Sequence, residues 1–238
     1  MPAPSGSRAE RLLPFLKNQT FFGGLPDAAL AELIRKGHSK TYAKGDTLFR
    51  RGDPGDSLMV IVSGRIKIAN VNADAKEVVL NFLGVGDING EIAALDGKER
   101  TANAIALEES EVLAISGRDL LPALSGHPQA MLEIIEVLCD KLRAASAMIE
   151  DSTLAMRGRA ARGLLRLAER HGRTGKEGVR IELALSQTDL GKYLGLSRPN
   201  VSRQLRQLKD ANVIRIEKTQ LVIVDQQGLA EIAESASA

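Results

Sequence analysis

The spacing of apolar residues changes character twice along the chain. Over residues 8–36 it is helical and breaks near FFGGLPD, where Leu25-Pro26-Asp27 turns into a short helix over 28–36. From Thr41 the period shortens. The stretch TYAKGDTLFRRGDPGDSLMVIVSGRIKIANV carries β-branched runs divided by Gly-Asp and Pro-Gly turns, and predicts strands over 58–62 and 65–71 around Ser63-Gly64. Residues 76–83 and 111–115 add further strands. Gly-Asp recurs at Gly45-Asp46, Gly52-Asp53, Gly55-Asp56 and Gly86-Asp87. Many short strands with frequent turns predict an antiparallel roll or barrel that ends near Gly117.

After Pro128 the pattern turns helical again and stays so. Leu132, Ile135, Cys139, Leu142, Ser146 and Ile149 are spaced 3, 4, 3, 4, 3, an a/d seam of about two and a half heptads. A helix packed on its own domain shows a similar stripe, but the strict alternation favours a two-helix coiled-coil dimer. Cys139 on this seam reads as a small apolar filler, and Ser146 is its one hydroxyl. EDSTLAMRG interrupts the seam and predicts a hinge. A helix over 157–171, a loop at HGRTGKEG and a small helical domain follow. In VIRIEKTQLVIVD two β-branched runs flank a polar turn, which predicts a hairpin.

Inside that domain, LSQTDLGKYLGLSRPNVSRQLRQLKDANVI has a more specific pattern. Leu190, Tyr193 and Leu194 mark a short helix over 187–194, and Gly195-Leu196-Ser197 is a tight turn. Ser197 is placed to cap the next helix, and Pro199 falls in its first turn, where a missing N–H costs little. Val201, Leu205 and Leu208 then face inward, leaving Arg198, Asn200, Ser202, Arg203 and Arg206 outward. This is a helix-turn-helix with a basic recognition helix, and the hairpin makes it winged. Ser186 and Gln187, at the start of the first helix, join the candidate DNA-contacting set. Arg side chains can read guanine in the major groove or hold phosphates.

Charge agrees with that placement. Residues 157–238 hold 15 Lys/Arg against 9 Asp/Glu, whereas residues 1–156 hold 17 against 21. A basic C-terminal third on an acidic body suggests a polyanionic partner. Aromatics are 3% of the chain and Trp is absent, which argues against a stacking platform for single strands. The single cysteine excludes an intrachain disulfide, a four-thiolate zinc site and a cysteine-held iron–sulfur cluster, and fits a reducing cytoplasm. No apolar run approaches the ~20 residues of a membrane span, and MPAPSGSRAE has no signal-peptide core.

The stretch NGEIAALDGKERTANA, residues 89–104, poses a separate question. Gly90 permits a backbone shape or close approach that a Cβ would block. Arg100 supplies a fork of donors suited to phosphate, and Thr101 adds a hydroxyl. Glu91 is an acceptor that would repel phosphate, so it should face a donor such as a sugar hydroxyl. An acid for a sugar and an arginine for a phosphate describe a nucleotide with few phosphates. The alternative is a Gly-led turn with an incidental ion pair.

Both motifs, in this order, resemble one family over nearly the full length: the Crp/Fnr transcription regulators, and most closely their cAMP-binding branch. GDTLFRRGDPGDSLMVIVSGRIKI is similar to that family's roll, GEIAALDGKERTA to its phosphate-binding cassette and LSRPNVSRQL to its recognition helix. The resemblance implies an α+β chain. Its parts would be a cyclic-nucleotide-binding β-roll (a double-stranded β-helix) with N-terminal helices over 1–127, a dimerisation helix and hinge over 128–156, and a winged helix-turn-helix domain over 157–238. It implies that Gly90 and Glu91 line the ribose–phosphate site, with Glu91 on the 2′-hydroxyl. Arg100 and Thr101 would bind the cyclic phosphate, and Ile92 and Ala102 would lend backbone groups. The expected assembly is a homodimer on a palindromic operator, with RNA polymerase as a further partner.

Two departures bear on specificity. The cAMP-binding branch places adjacent Thr and Ser on the long helix against adenine, one from each subunit; here the pair is Ala145-Ser146. Only the hydroxyl reaching across the dimer remains, so both cAMP and cGMP stay open as effector. The family often has a cytosine-reading Glu where this chain has Pro199. No metal is expected, and haem is not expected either, since His38, His127 and His171 read as scattered surface-loop residues. Two other functions compete: a constitutive or differently liganded DNA-binding protein, and a nucleotide-processing enzyme. The cassette has no adjacent His, Ser–His pairing or metal-ligand cluster, which counts against hydrolysis and leaves no catalytic residue to name.

Overall fold

The computed structural model describes residues 7–19, 21–183, 185–217 and 220–235. Residues 1–6 of MPAPSGSRAE and the polar turn at 218–219 of the predicted hairpin lie outside the described residues. The chain divides into two compact units, Met1–Ala75 with Leu80–Leu142, and Lys76–Val79 with Arg143–Ala238.

The first unit opens with helices α1 (Arg8–Lys17) and α2 (Asp27–Lys36). Ser7 and Glu10 form a reciprocal capping box at the start of α1. Strands β1 (His38–Tyr42), β2 (Thr47–Phe49), β3 (Ser57–Ser63), β4 (Ile66–Val71), β5 (Glu77–Leu83) and β6 (Ile88–Asn89) follow. After helix α3 (Glu91–Asp96) come β7 (Asn103–Ala106), β8 (Ser110–Ser116), α4 (Gly117–Ser125) and the 25-residue α5 (Pro128–Ser152), whose residues from Arg143 on, like the first three of β5, are counted with the second unit. The strands form two four-stranded sheets, ordered β1-β8-β3-β6 and β2-β7-β4-β5. Their pairings are antiparallel, as the turn-rich pattern predicts.

The run LMVIV in β3 is continuous rather than alternating because both of its faces are buried. Leu58 and Val60 pack with Ile88, Leu113 and Ile115 against the helical residues Leu16, Leu30, Leu120 and Ile134 and against Phe22 in the turn between α1 and α2. Met59 and Ile61 point the other way, into an inner cluster with Ile66, Ile68, Leu83, Ala102 and Val112. Helix α4 has no counterpart in the sequence reading. It is short and holds Pro122, which reads as a breaker, yet Ser116 caps it by accepting from Asp119 N.

In the second unit α6 (Met156–His171) follows a break at residues 153–155, where the hinge is expected. HGRTGKEG is not a loop. It forms β9 (Gly172–Gly175) and the start of β10 (Gly178–Ile181), an antiparallel hairpin turned by Lys176-Glu177. All of β9 is exposed, so it has no apolar alternation to read. Helices α7 (Gln187–Leu194) and α8 (Arg198–Asp210), strands β11 (Ile214–Glu217) and β12 (Gln220–Ile223), and helix α9 (Gln226–Ser235) complete the unit. The wing is a four-stranded sheet, β11-β12-β10-β9, rather than two strands alone.

Candidate functional site

The loop from β6 into α3 is shaped by Gly90. It caps α3 in the left-handed region at φ 79°, and a Cβ there would lie 2.2 Å from Arg100 Nη1. Arg100 uses that space. Its Nη1 donates to Ser57 O (2.7 Å) and Gly90 O (3.0 Å), and its Nη2 to Ser57 Oγ (3.1 Å). The guanidinium also stacks on Phe49, 4.4 Å from the ring centroid. Only 5% of Arg100 is exposed. Burial pushes its pKa below the usual value, and Asp56, Glu91 and Asp53 oppose that shift.

Glu91 is 2% exposed. Its Oε1 is paired with Lys141 Nζ of α5 at 2.7 Å. Its Oε2 is buried with no partner among the described residues, as is Arg100 Nε. Ala102 belongs to the inner cluster, whereas Ile92 and Thr101 are exposed. An open cleft of about 780 Å³ runs along the 96–101 segment, with Asp56, Lys98, Arg100 and Thr101 among its walls. Gly90 and Glu91 do not line it. The fold thus brings Gly90, Glu91 and Arg100 together inside and leaves Thr101 at the rim.

On α5 every seam residue is uncovered. Leu132, Ile135, Leu142 and Ile149 are 53%, 49%, 68% and 71% exposed, and Cys139 and Ser146 are exposed as well. The stripe is therefore not spent on packing among the described residues.

In the second unit Gly195 closes α7 at φ 64°, a left-handed cap. Val201, Leu205 and Leu208 are buried, while Arg198, Arg203 and Arg206 are exposed and Asn200 and Ser202 half-buried. Arg203 Nη2 donates to Asn200 Oδ1 at 2.9 Å, one turn earlier on the helix. One detail departs from the sequence reading. Ser197 occupies the cap of α8 but its side chain makes no cap hydrogen bond; Pro199, with no N–H, removes one of the two amides such a cap can take. Ser186 is exposed, but its hydroxyl is engaged locally, accepting from Asp189 N and donating to Asp189 Oδ2. Gln187 is exposed beside it.

Family comparison follows the same division. Residues 39–127 match the cyclic nucleotide-binding domain model, and residues 158–232 match the Crp-like helix-turn-helix domain model. The chain belongs to the Crp/Fnr family. A CRP-like cAMP-activated global transcriptional regulator of Mycobacterium tuberculosis is 29% identical over 213 residues, covering 89% of this chain and 95% of that protein. The cyclic AMP receptor protein of Thermus thermophilus is 27% identical, over 92% of this chain and 98% of its own. Among solved structures, FixK2 from Bradyrhizobium japonicum superposes with a TM-score of 0.73 over 82% of this chain and 96% of its own, at 22% identity, a likeness of fold. Members of the family are transcription regulators, not enzymes, which sets aside the nucleotide-processing alternative.

The residues of this Crp/Fnr-family chain fit a cyclic nucleotide. Glu91 Oε2 is a buried acceptor and Arg100 Nε a buried donor, and neither is satisfied by the described protein atoms. Lys141 and Ser57 went unnoticed in the sequence. They stand 50 and 43 positions from the cassette residues they hold, and no motif marks them. The three histidines are not all in loops: His38 opens β1 and His171 ends α6, while His127 lies between α4 and α5. Among the described residues no group of three His, Cys, Asp or Glu is placed to hold a metal, and no helix is long and apolar enough to cross a membrane.

Proposed function

We propose that the chain is a cAMP-responsive, homodimeric transcription regulator that binds a palindromic operator. The observation that carries the nucleotide half is the buried pair on the Gly90 loop, Glu91 and Arg100, each retaining an unsatisfied polar atom. Glu91, held through Oε1 by Lys141, accepts from the ribose 2′-hydroxyl. Arg100 and Thr101 donate to the cyclic phosphate, with backbone groups from Gly90, Ile92 and Ala102. Ser146, from the partner subunit, faces the base. The exposed stripe of Leu132, Ile135, Cys139, Leu142, Ser146 and Ile149 supports pairing of two α5 helices. Arg198, Asn200, Ser202, Arg203 and Arg206, with Ser186 and Gln187 nearby, form the DNA face. The working parts are a nucleotide-binding domain at 1–127, a dimerisation helix and hinge at 128–156 and a DNA-binding domain at 157–238, with RNA polymerase as the downstream partner.

Ala145 favours keeping a second effector in view. With one adenine-facing hydroxyl where the cAMP-binding branch has two, cGMP is the competing ligand. Calorimetry of the purified protein with each nucleotide decides between them. Tighter binding of cAMP supports the reading, tighter binding of cGMP reassigns the effector, and binding of neither rejects the nucleotide site.

A further inference from the structure

Asn89 closes β6 immediately before Gly90. In the pairing of β3 with β6, Met59 stands opposite Asn89 and Val60 opposite Ile88. Directly opposed residues share a sheet face. Val60 and Ile88 both pack against the helices, whereas Met59 packs in the inner cluster between the sheets. Asn89 therefore turns a carboxamide toward that apolar interior, where alternation calls for a hydrophobic side chain. Its Oδ1 accepts from Gly90 N at 2.8 Å, which fixes the amide's orientation and leaves Nδ2 as the other end. That Nδ2 is sealed from solvent and has no partner among the described residues.

A buried donor left unpaired is unfavourable and calls for an explanation, such as a partner outside the chain. This one is not isolated. Glu91 Oε2, Arg100 Nε and Asn70 Oδ1 are likewise buried without a partner. Asn70 lies on the same face of β4 as the inner-cluster residues Ile66 and Ile68, and its Nδ2 donates to Thr101 O at 3.1 Å. Of these groups, Asn89 Nδ2 is a neutral donor beside the backbone of Gly90. Its complement is an oxygen without a proton of its own, such as a phosphate oxygen, while the ribose hydroxyl is matched by Glu91.

We infer that Asn89 is a further phosphate-binding residue of the nucleotide site, its Nδ2 donating to an exocyclic oxygen of the cyclic phosphate; this rests on the cyclic-nucleotide reading above. Asn89→Asp separates the two ends of the side chain. It keeps the acceptor that holds Gly90 N and turns the donor into an anionic oxygen facing the phosphate. Calorimetry with cAMP and cGMP should show affinity lower on the order of tenfold to a hundredfold, and because a carboxylate at this buried position also lowers the melting temperature of the nucleotide-free protein, affinity alone does not carry the test. The Rp and Sp phosphorothioates of the better-bound nucleotide supply a readout that a purely structural role would not move. Wild type should discriminate between them, and the gap should narrow in Asn89→Asp or, if that variant fails to fold, in Asn89→Leu. Unchanged affinity together with an unchanged diastereomer gap overturns the role of Asn89 and leaves the nucleotide site standing. Wild type that binds neither nucleotide overturns both.

Discussion

At Gly90 one missing methyl group makes room for Arg100. Gly90→Ala would force a left-handed backbone on a residue with a Cβ and drive that Cβ toward Nη1. The variant is expected to melt lower than wild type and to lose nucleotide affinity, measured by thermal denaturation and calorimetry; equal affinity would mean that Arg100 does not need this position. Arg100→Ala removes the cationic fork itself. A charged hydrogen bond lost from a buried site costs about 1.5–3 kcal/mol, or roughly ten- to more than a hundredfold in dissociation constant. Unchanged binding of both nucleotides would reject the site. Much of this loop is legible in the sequence, because Gly, Glu and Arg at short range have few joint uses. Lys141 is not legible: it is one charged residue among several on an amphipathic helix, and only the fold brings it within 2.7 Å of Glu91. Lys141→Met would leave a buried carboxylate without its counter-ion, and is expected to lower the melting temperature of the nucleotide-free protein.

At the scale of elements, the proposed assembly rests on α5 and the proposed recognition on α8. Leu142→Glu would place like charges on both copies of the seam, so sedimentation should report a monomer; a persisting dimer would move the interface off this stripe. On α8, Arg203 is held by Asn200 and is expected to read a base, whereas Arg206 is expected to hold phosphate. Arg203→Ala should cost about 1–3 kcal/mol and relax preference at one symmetric pair of bases. Arg206→Ala should weaken all sequences alike and reduce the salt slope by about one. Selection from a random DNA pool, followed by salt titration, separates the two. Pro199 should leave weak or altered preference at the base pair that a Glu would read. The helix-turn-helix was readable because Gly195, Pro199 and the 3.6-residue spacing of Val201, Leu205 and Leu208 agree with one another. The β9–β10 hairpin was not, since Arg173, Thr174 and their neighbours are all exposed and turn residues alone do not separate a hairpin from a loop.

For the whole molecule, the acidic body and basic C-terminal third match the two matched families, a nucleotide-binding domain followed by a DNA-binding one. A twofold dimer should select half-sites about one helical turn apart, ~34–36 Å. Gating requires that nucleotide binding favour one arrangement of the recognition helices over others, and a ligand can shift that balance only by its difference in affinity between them. Titration of the selected operator with protein, with and without saturating cAMP or cGMP, measures that difference directly. The account predicts tighter operator binding with nucleotide in wild type and no nucleotide effect in Arg100→Ala. Equal operator affinity of wild type with and without either nucleotide would contradict it and leave a constitutive DNA-binding protein.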